Sequence, residues 1–133
     1  MEKLKDYLDI FKLKSEQKRF VFGQVIYSDA SKEEANSFLR SELPKAIFIE
    51  SDLESVGDNS TIIEAIESGK IVVANVSQKI NEALLKYLLT IYKGEPGLDY
   101  KKISKSSIIF LINADSLDNF QSGGLELYTC NLQ

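Results

Sequence analysis

The chain contains no histidine and no tryptophan, and it has only one cysteine among its 133 residues. Without histidine, the sequence excludes Ser-His and Cys-His nucleophile pairs as well as His-ligated zinc. Cys130 has no second cysteine to pair with, so the fold does not depend on an oxidising compartment. We expect this thiol to pack as a small hydrophobe.

Long apolar runs and an excess of basic residues are also missing. No stretch approaches the roughly 20 apolar residues that cross a bilayer, and the first ten residues alternate charged with apolar side chains, unlike a signal peptide. The formal net charge of −4 disfavours a broad surface for nucleic-acid phosphates. We therefore expect a cytoplasmic protein without membrane contact, folded as one domain over residues 1–133.

Apolar segments of strand length alternate along the chain with amphipathic segments of helix length. Strands are predicted at 19–27, 45–50, 70–76, 107–115 and 125–132, and helices at 2–12, 31–43, 60–69 and 80–94. Residues 95–107 have the composition of a polar loop, and Gly23 suggests a bulge in the first strand. Several strands are apolar throughout, which is typical of parallel strands covered by helices on both faces. The sequence thus predicts a three-layer α/β/α sandwich with a mainly parallel sheet of about five strands.

Two segments of the second half resemble the nucleotide-binding core of AAA+ ATPases, in particular the clamp-loader small subunits of the delta-prime and gamma/tau type. They are "INEALLKYLLTIYKGEP" and, after a polar gap, "SIIFLINADSLDNF". The run "EALLK" is similar to the "NALLK"-like run of that family, and Asn113 takes the place of its sensor residue. The resemblance covers roughly Phe20 to Leu132. It implies a P-loop NTPase-like sheet with a strand inserted between the first and third strands, and the helical lid of the family has no room here.

The stretch "VIYSDASKEEANSFLRSEL" has the outline of the strand, turn and helix that hold phosphate in such proteins. In the pattern G-x-x-x-x-G-K-[ST], glycines let backbone N–H groups surround the phosphate and a lysine reaches its oxygens. The matching residues here run from Ser28 to Ala35, and Glu34 stands where the lysine belongs. Reversing a charge about 4 Å from a phosphate changes the interaction by several kcal/mol. We expect a degenerate phosphate loop that turns nucleotide away, comprising Ser28, Asp29, Ser31, Lys32 and Glu34.

The position equivalent to the family's Mg²⁺-binding acids is also altered, because Ala74 and Asn75 end the third strand there. The resemblance therefore implies a non-catalytic core without catalytic residues, cofactor or metal. Such a core would serve as a protein-interaction module, accessory to a DNA replication assembly or another ATPase assembly. Its partner would be a AAA+ ATPase or a second copy of the chain.

An alternative hypothesis is a flavodoxin-like or receiver-like domain that binds Mg²⁺ or a small anion near Ser28. The acids Asp29, Glu33 and Glu34 follow the first strand, and Glu50 and Asp52 follow the second. Strand carboxyl ends are where open α/β sheets bind ligands. We favour instead a capping box in which Ser31 and Glu34 satisfy the first N–H groups of the helix. Active phosphotransfer is disfavoured, because Asn75 cannot accept a phosphoryl group as a carboxylate does.

The segment from Lys101 to Lys105 is basic and follows Tyr100. It could contact nucleic acid or an acidic partner. A solvated loop is the interpretation we favour.

Overall fold

Five parallel strands form one sheet with helices on both faces. The computed structural model describes residues 1–17, 20–49, 56–76, 79–120 and 122–133, with the backbone alone for 56–58 and 119. The strands are β1 Phe22–Tyr27, β2 Ile47–Ile49, β3 Ile71–Val76, β4 Ser107–Asn113 and β5 Tyr128–Asn131. The helices are α1 Glu2–Glu16, α2 Lys32–Glu42, α3 Val56–Glu67, α4 Glu82–Lys93 and α5 Tyr100–Ile103, and a 3-10 helix covers Ala114–Asn119.

The strand order is β2-β3-β4-β1-β5, and every pair of neighbouring strands is parallel. β4 lies between β1 and β3, so a strand is inserted where a flavodoxin-like sheet, of order 2-1-3-4-5, places those two side by side. The flavodoxin-like strand order of the alternative hypothesis is therefore wrong. The predicted fold class, a three-layer α/β/α sandwich with a five-stranded parallel sheet, is confirmed.

Alternate residues of the central strands supply two separate hydrophobic cores. Val73 and Ile109 point to the face covered by α1 and α2, whereas Val72 and Ile108 point to the face covered by α3, α4 and α5. The buried residues of the first core include Leu4, Leu8, Phe11 and Leu39, and those of the second include Ile62, Ile66, Leu84, Leu88 and Ile103. Because β3 and β4 are covered on both faces, their sequences are apolar at successive positions.

Gly23 does not form a bulge, because it pairs in regular register with Ile109 on one side and Tyr128 on the other. Its missing side chain makes room for α1. A β-carbon at Gly23 would lie 2.5 Å from the Tyr7 hydroxyl oxygen and 2.9 Å from the Phe11 ring. The Tyr7 hydroxyl accepts a hydrogen bond from Gln24 N (3.1 Å) and donates one to Tyr128 O (2.6 Å), so it bridges β1 and β5.

Several predicted boundaries and orientations differ from the structure. α3 begins at Val56, and the predicted polar loop contains α5, whose Ile103 is buried under α3. β5 is shorter than the predicted segment 125–132. In α4 the spacing of apolar residues predicts an inward stripe of Leu84, Leu85, Leu88, Leu89 and Tyr92. The buried stripe consists of Leu84, Leu88 and Ile91, and Tyr92 is 40% exposed.

Candidate functional site

The turn between β1 and α2, where the sequence places the degenerate phosphate loop, is closed by hydrogen bonds between its own two ends. Ser28 N donates to Ser31 Oγ at 3.0 Å, and Ser31 N donates to Ser28 O at 3.0 Å. The hydroxyl groups of the two serines are 3.2 Å apart. A phosphate loop instead needs backbone N–H groups that converge on an open space. The N–H groups of Ser28 and Ser31 are already bound within the turn.

The predicted capping box is wrong, although α2 does begin after Ser31. Ser31 has φ −99° and ψ −3°, and its side chain makes no capping hydrogen bond. Capping serines are normally extended, which aims the hydroxyl at the first helical amides. Here the helical backbone of Ser31 turns its hydroxyl back to Ser28 instead.

Glu34, the residue at the lysine position of the pattern, lies beside the amino terminus of the chain. Its Oε1 is 3.9 Å from the Met1 amino group, and its side chain is 66% exposed. The sequence predicts that the charge of Glu34 turns nucleotide away. In the structure that carboxylate is within ion-pair distance of the Met1 amino group, and the Ser28–Ser31 hydrogen bonds are a second feature of the same turn that differs from a phosphate loop.

Two of the predicted site residues are brought together by the sheet. Because β1 and β4 are neighbours, Tyr27 pairs with Asn113 at their carboxyl ends. Asn113 Nδ2 donates a hydrogen bond of 2.8 Å to Asp29 Oδ1. Asn113 Oδ1 accepts from Asp115 N at 2.9 Å and so caps the 3-10 helix that follows. The sensor-like asparagine is therefore engaged on both of its polar atoms.

The carboxyl end of β3 carries no acid. Ala74 is fully buried, and Asn75 Nδ2 donates to Ile49 O of β2 at 3.2 Å. Glu50 and Asp52, which the alternative hypothesis assigned to a Mg²⁺ site, lie outside the described residues. Within the ranges that are described, no group of three His, Cys, Asp or Glu side chains is placed to hold a metal ion.

A cleft of about 710 Å³ opens at the carboxyl ends of β1, β3 and β4, beside α2. One wall carries the cations Lys32 and Arg40, together with Glu33. Arg40 also lies over the Phe48 ring, with its guanidinium carbon 4.3 Å from the ring centroid. The remaining lining residues are Tyr27, Asn36, Ser37, Asn75, Val76, Asn113 and Ser116.

Most of the α2 wall of this cleft is absent from the predicted phosphate-loop residues, which on α2 include only Lys32 and Glu34. Lys32, Asn36 and Arg40 are spaced four apart, which places them on one face of a helix. That polar spacing is the signal in the sequence that indicates the wall.

The basic segment does not stand out as a uniform positive surface. Lys101 and Lys102 belong to α5, and Lys105 follows it. All three line a groove of about 1050 Å³ at the opposite end of the sheet, together with the acids Glu16, Glu67 and Asp99. Mixed charge of this kind favours the solvated interpretation over a nucleic-acid interface.

No family model, curated protein or solved structure matches this chain. Among the helices of the described residues, none has the length and apolar character needed to cross a membrane.

Proposed function

We propose that this protein is a non-catalytic, AAA+-like core domain that acts in the cytoplasm as a protein-interaction module. The main observation in favour is the turn from Ser28 to Ser31, in which the amides of these two serines are hydrogen-bonded within the turn instead of being left for phosphate. The inserted position of β4 agrees with the sheet that the AAA+ resemblance implies. Asn75 and the engaged Asn113 stand where nucleotide chemistry would need free polar groups.

The partner that the clamp-loader resemblance suggests is a AAA+ ATPase of a DNA replication assembly, or a second copy of the chain. Sedimentation velocity of the purified protein tests the second copy. Capture of an ATPase subunit from the native host, at a defined stoichiometry and resistant to nuclease treatment, tests the first.

The absence of nucleotide binding is tested by thermal unfolding with MgATP and MgADP. A ligand at 100 times its Kd stabilises the folded state by about 2.7 kcal/mol, which would raise the Tm by on the order of 10 °C for a domain of this size. We expect no change. A rise in Tm with nucleotide that inorganic phosphate does not reproduce would contradict the proposal.

The Glu34→Lys variant separates geometry from charge. It places a cation where a phosphate loop has its lysine, but it leaves the Ser28–Ser31 hydrogen bonds in place. If the closed turn excludes nucleotide, the variant will not bind MgATP either. Glu64→Lys is the matched control, since Glu64 is exposed on α3 across the sheet and its replacement changes net charge equally. Binding gained by Glu34→Lys alone would mean that charge, rather than the closed turn, keeps nucleotide out.

A second candidate function, binding of a small anion, is favoured by the cleft that Lys32 and Arg40 line. Titration with inorganic phosphate tests it. The expected result is a saturable rise in Tm that disappears in the Lys32→Gln and Arg40→Gln variants, and a rise that persists in both variants would place the anion elsewhere.

A further inference from the structure

In the part of the chain that the structure describes, the outer edge of β5 carries no further strand. β5 lies at the end of the described sheet, beside β1. Leu132 N donates to Ile26 O at 2.8 Å, toward β1. Because backbone groups alternate in direction along a strand, those of Thr129 and Asn131 point away from β1. Such an edge is a template on which an extended segment can pair.

Two lysines of α1 border this edge. The Lys14 ammonium lies 5.3 Å from the centroid of the Tyr128 ring. The backbone oxygen of Lys3 lies 4.0 Å from the sulfur of Cys130. Among the described residues, neither lysine has a carboxylate within 4 Å. Asp6 projects about 60° further round the helix from Lys3, away from the core. Lys3 and Lys14 are therefore the charges that α1 brings to this edge, and Glu126, exposed just before β5, is the acid that lines the same groove as Lys14.

Apolar side chains are exposed on both sides of the same edge. Ile10 is 45% exposed and lies one helical turn before Lys14, and Leu13 beside it is 58% exposed. On the other side of the sheet, Tyr92 is 40% exposed and lines a groove of about 670 Å³ with Leu127 and Tyr128. Ile10, Leu13 and Tyr92 are the large apolar side chains that are exposed within the described part of the chain.

We propose that the β5 edge, bordered by α1, is the docking site for an extended acidic and apolar segment of a partner protein, which adds a sixth strand to the sheet. This inference rests on the proposed interaction function and assigns it a surface. The added strand of the partner forms backbone hydrogen bonds with Thr129 and Asn131. Its apolar side chains cover Ile10 on one side and Tyr92 on the other, and its acids meet Lys3 and Lys14.

The spacing of the two lysines specifies the segment further. Lys3 and Lys14 are separated by about 16 Å along the helix. Two residues four apart lie on the same face of an extended chain and are separated by about 13 Å, and the long lysine side chains cover the difference. The acids would therefore flank an apolar residue, all three facing α1. A second copy of the chain fits less well. Antiparallel pairing of two β5 edges about Cys130 would bring the Lys3 side chains of both copies together.

The experiment is a titration of the full-length, nitrogen-labelled protein followed by amide resonances. The probe is a capped peptide with the core Glu-Val-Ile-Val-Glu, and the control peptide has lysine in place of both glutamates. We expect the amides of Thr129 and Asn131 to shift, with roughly tenfold weaker binding of the lysine peptide. Thr129→Pro removes the outward N–H without touching the β1 pairing and should abolish the shifts, whereas the matched Thr129→Ala should retain them.

The double variant Lys3→Glu, Lys14→Glu gives a test that does not depend on a proline in the strand. Both side chains are exposed, and the variant should prefer the lysine peptide. The proposal is overturned if neither peptide binds at millimolar concentration, or if shifts appear away from β5 or survive Thr129→Pro. Concentration-dependent self-association at the same amides would assign the edge to a second copy instead. If wild type and Thr129→Pro capture a natural partner equally well, the proposed interaction function is retained, but the β5 edge is not the surface that binds the partner.

Discussion

The Tyr7 hydroxyl occupies the space in which Gly23 would carry a side chain, with only 2.5 Å between the oxygen and the position of a β-carbon. Gly23 has no positive φ that would call for glycine. The missing side chain of Gly23 leaves space for the buried Tyr7 hydroxyl, which is hydrogen-bonded to β1 and β5. The first helix and the last strand are fastened to each other through this contact.

Gly23→Ala should therefore destabilise the protein, by roughly 1–3 kcal/mol, because the added methyl group must displace either Tyr7 or Phe11. Urea unfolding measures the change. In the double variant Gly23→Ala, Tyr7→Phe, the oxygen nearest the new methyl group is removed. Its loss in free energy of unfolding should therefore be smaller than the sum of the losses of the two single variants. Additive losses would show that the two residues are not coupled in this way.

Tyr7→Phe should cost about 1–3 kcal/mol at neutral pH, because Gln24 N and Tyr128 O both lose a buried partner. Burial raises the pKa of the Tyr7 hydroxyl above its usual value near 10. The stability that this group contributes is fully present below the unfolded pKa and is lost as pH rises above it. The difference in free energy of unfolding between wild type and Tyr7→Phe should therefore become smaller above about pH 10. Urea unfolding of both proteins across this pH range measures it. A constant difference would mean that the hydroxyl does not titrate with unfolding.

The bond between Asp29 and Asn113 predicts a measurable coupling between the carboxyl ends of β1 and β4. We expect a double-mutant cycle of Asp29→Ala and Asn113→Ala to give a coupling free energy of about 0.5–1 kcal/mol, since both side chains are accessible to solvent. Asp118→Ala, on the exposed side of the 3-10 helix, is the control partner and should show no coupling with Asn113→Ala. Equal coupling in both cycles would point to a general change of the loop.

Cys130 should react slowly with iodoacetamide in the folded protein and rapidly in urea. It is 4% exposed, and burial raises the pKa of its thiol. Because thiolate is the reactive form, we expect a rate on the order of 100-fold below that of the unfolded chain. The chain has one cysteine, so mass spectrometry follows a single site. Comparable rates in both states would show that β5 opens readily.

The layered fold could be predicted because both of its determinants are local in the sequence. Apolar strands such as β4 and the stripe of Leu84 and Leu88 show directly which segments are buried on two faces and which on one. The closed turn could not be predicted in this way. Whether Ser31 caps α2 or binds Ser28 depends on one pair of backbone angles, and both outcomes suit the same residues. The bridge from Tyr7 to Tyr128 joins residues 121 positions apart and leaves no pattern in either segment.

The order of the strands has a consequence for synthesis on the ribosome. β1 is synthesised before β2 and β3, yet its two neighbours, β4 and β5, are synthesised after them. The backbone groups along Phe22–Tyr27 therefore have no strand partner until β4 has emerged, because β2 and β3 pair with each other and not with β1. Until then this apolar strand is exposed to aggregation.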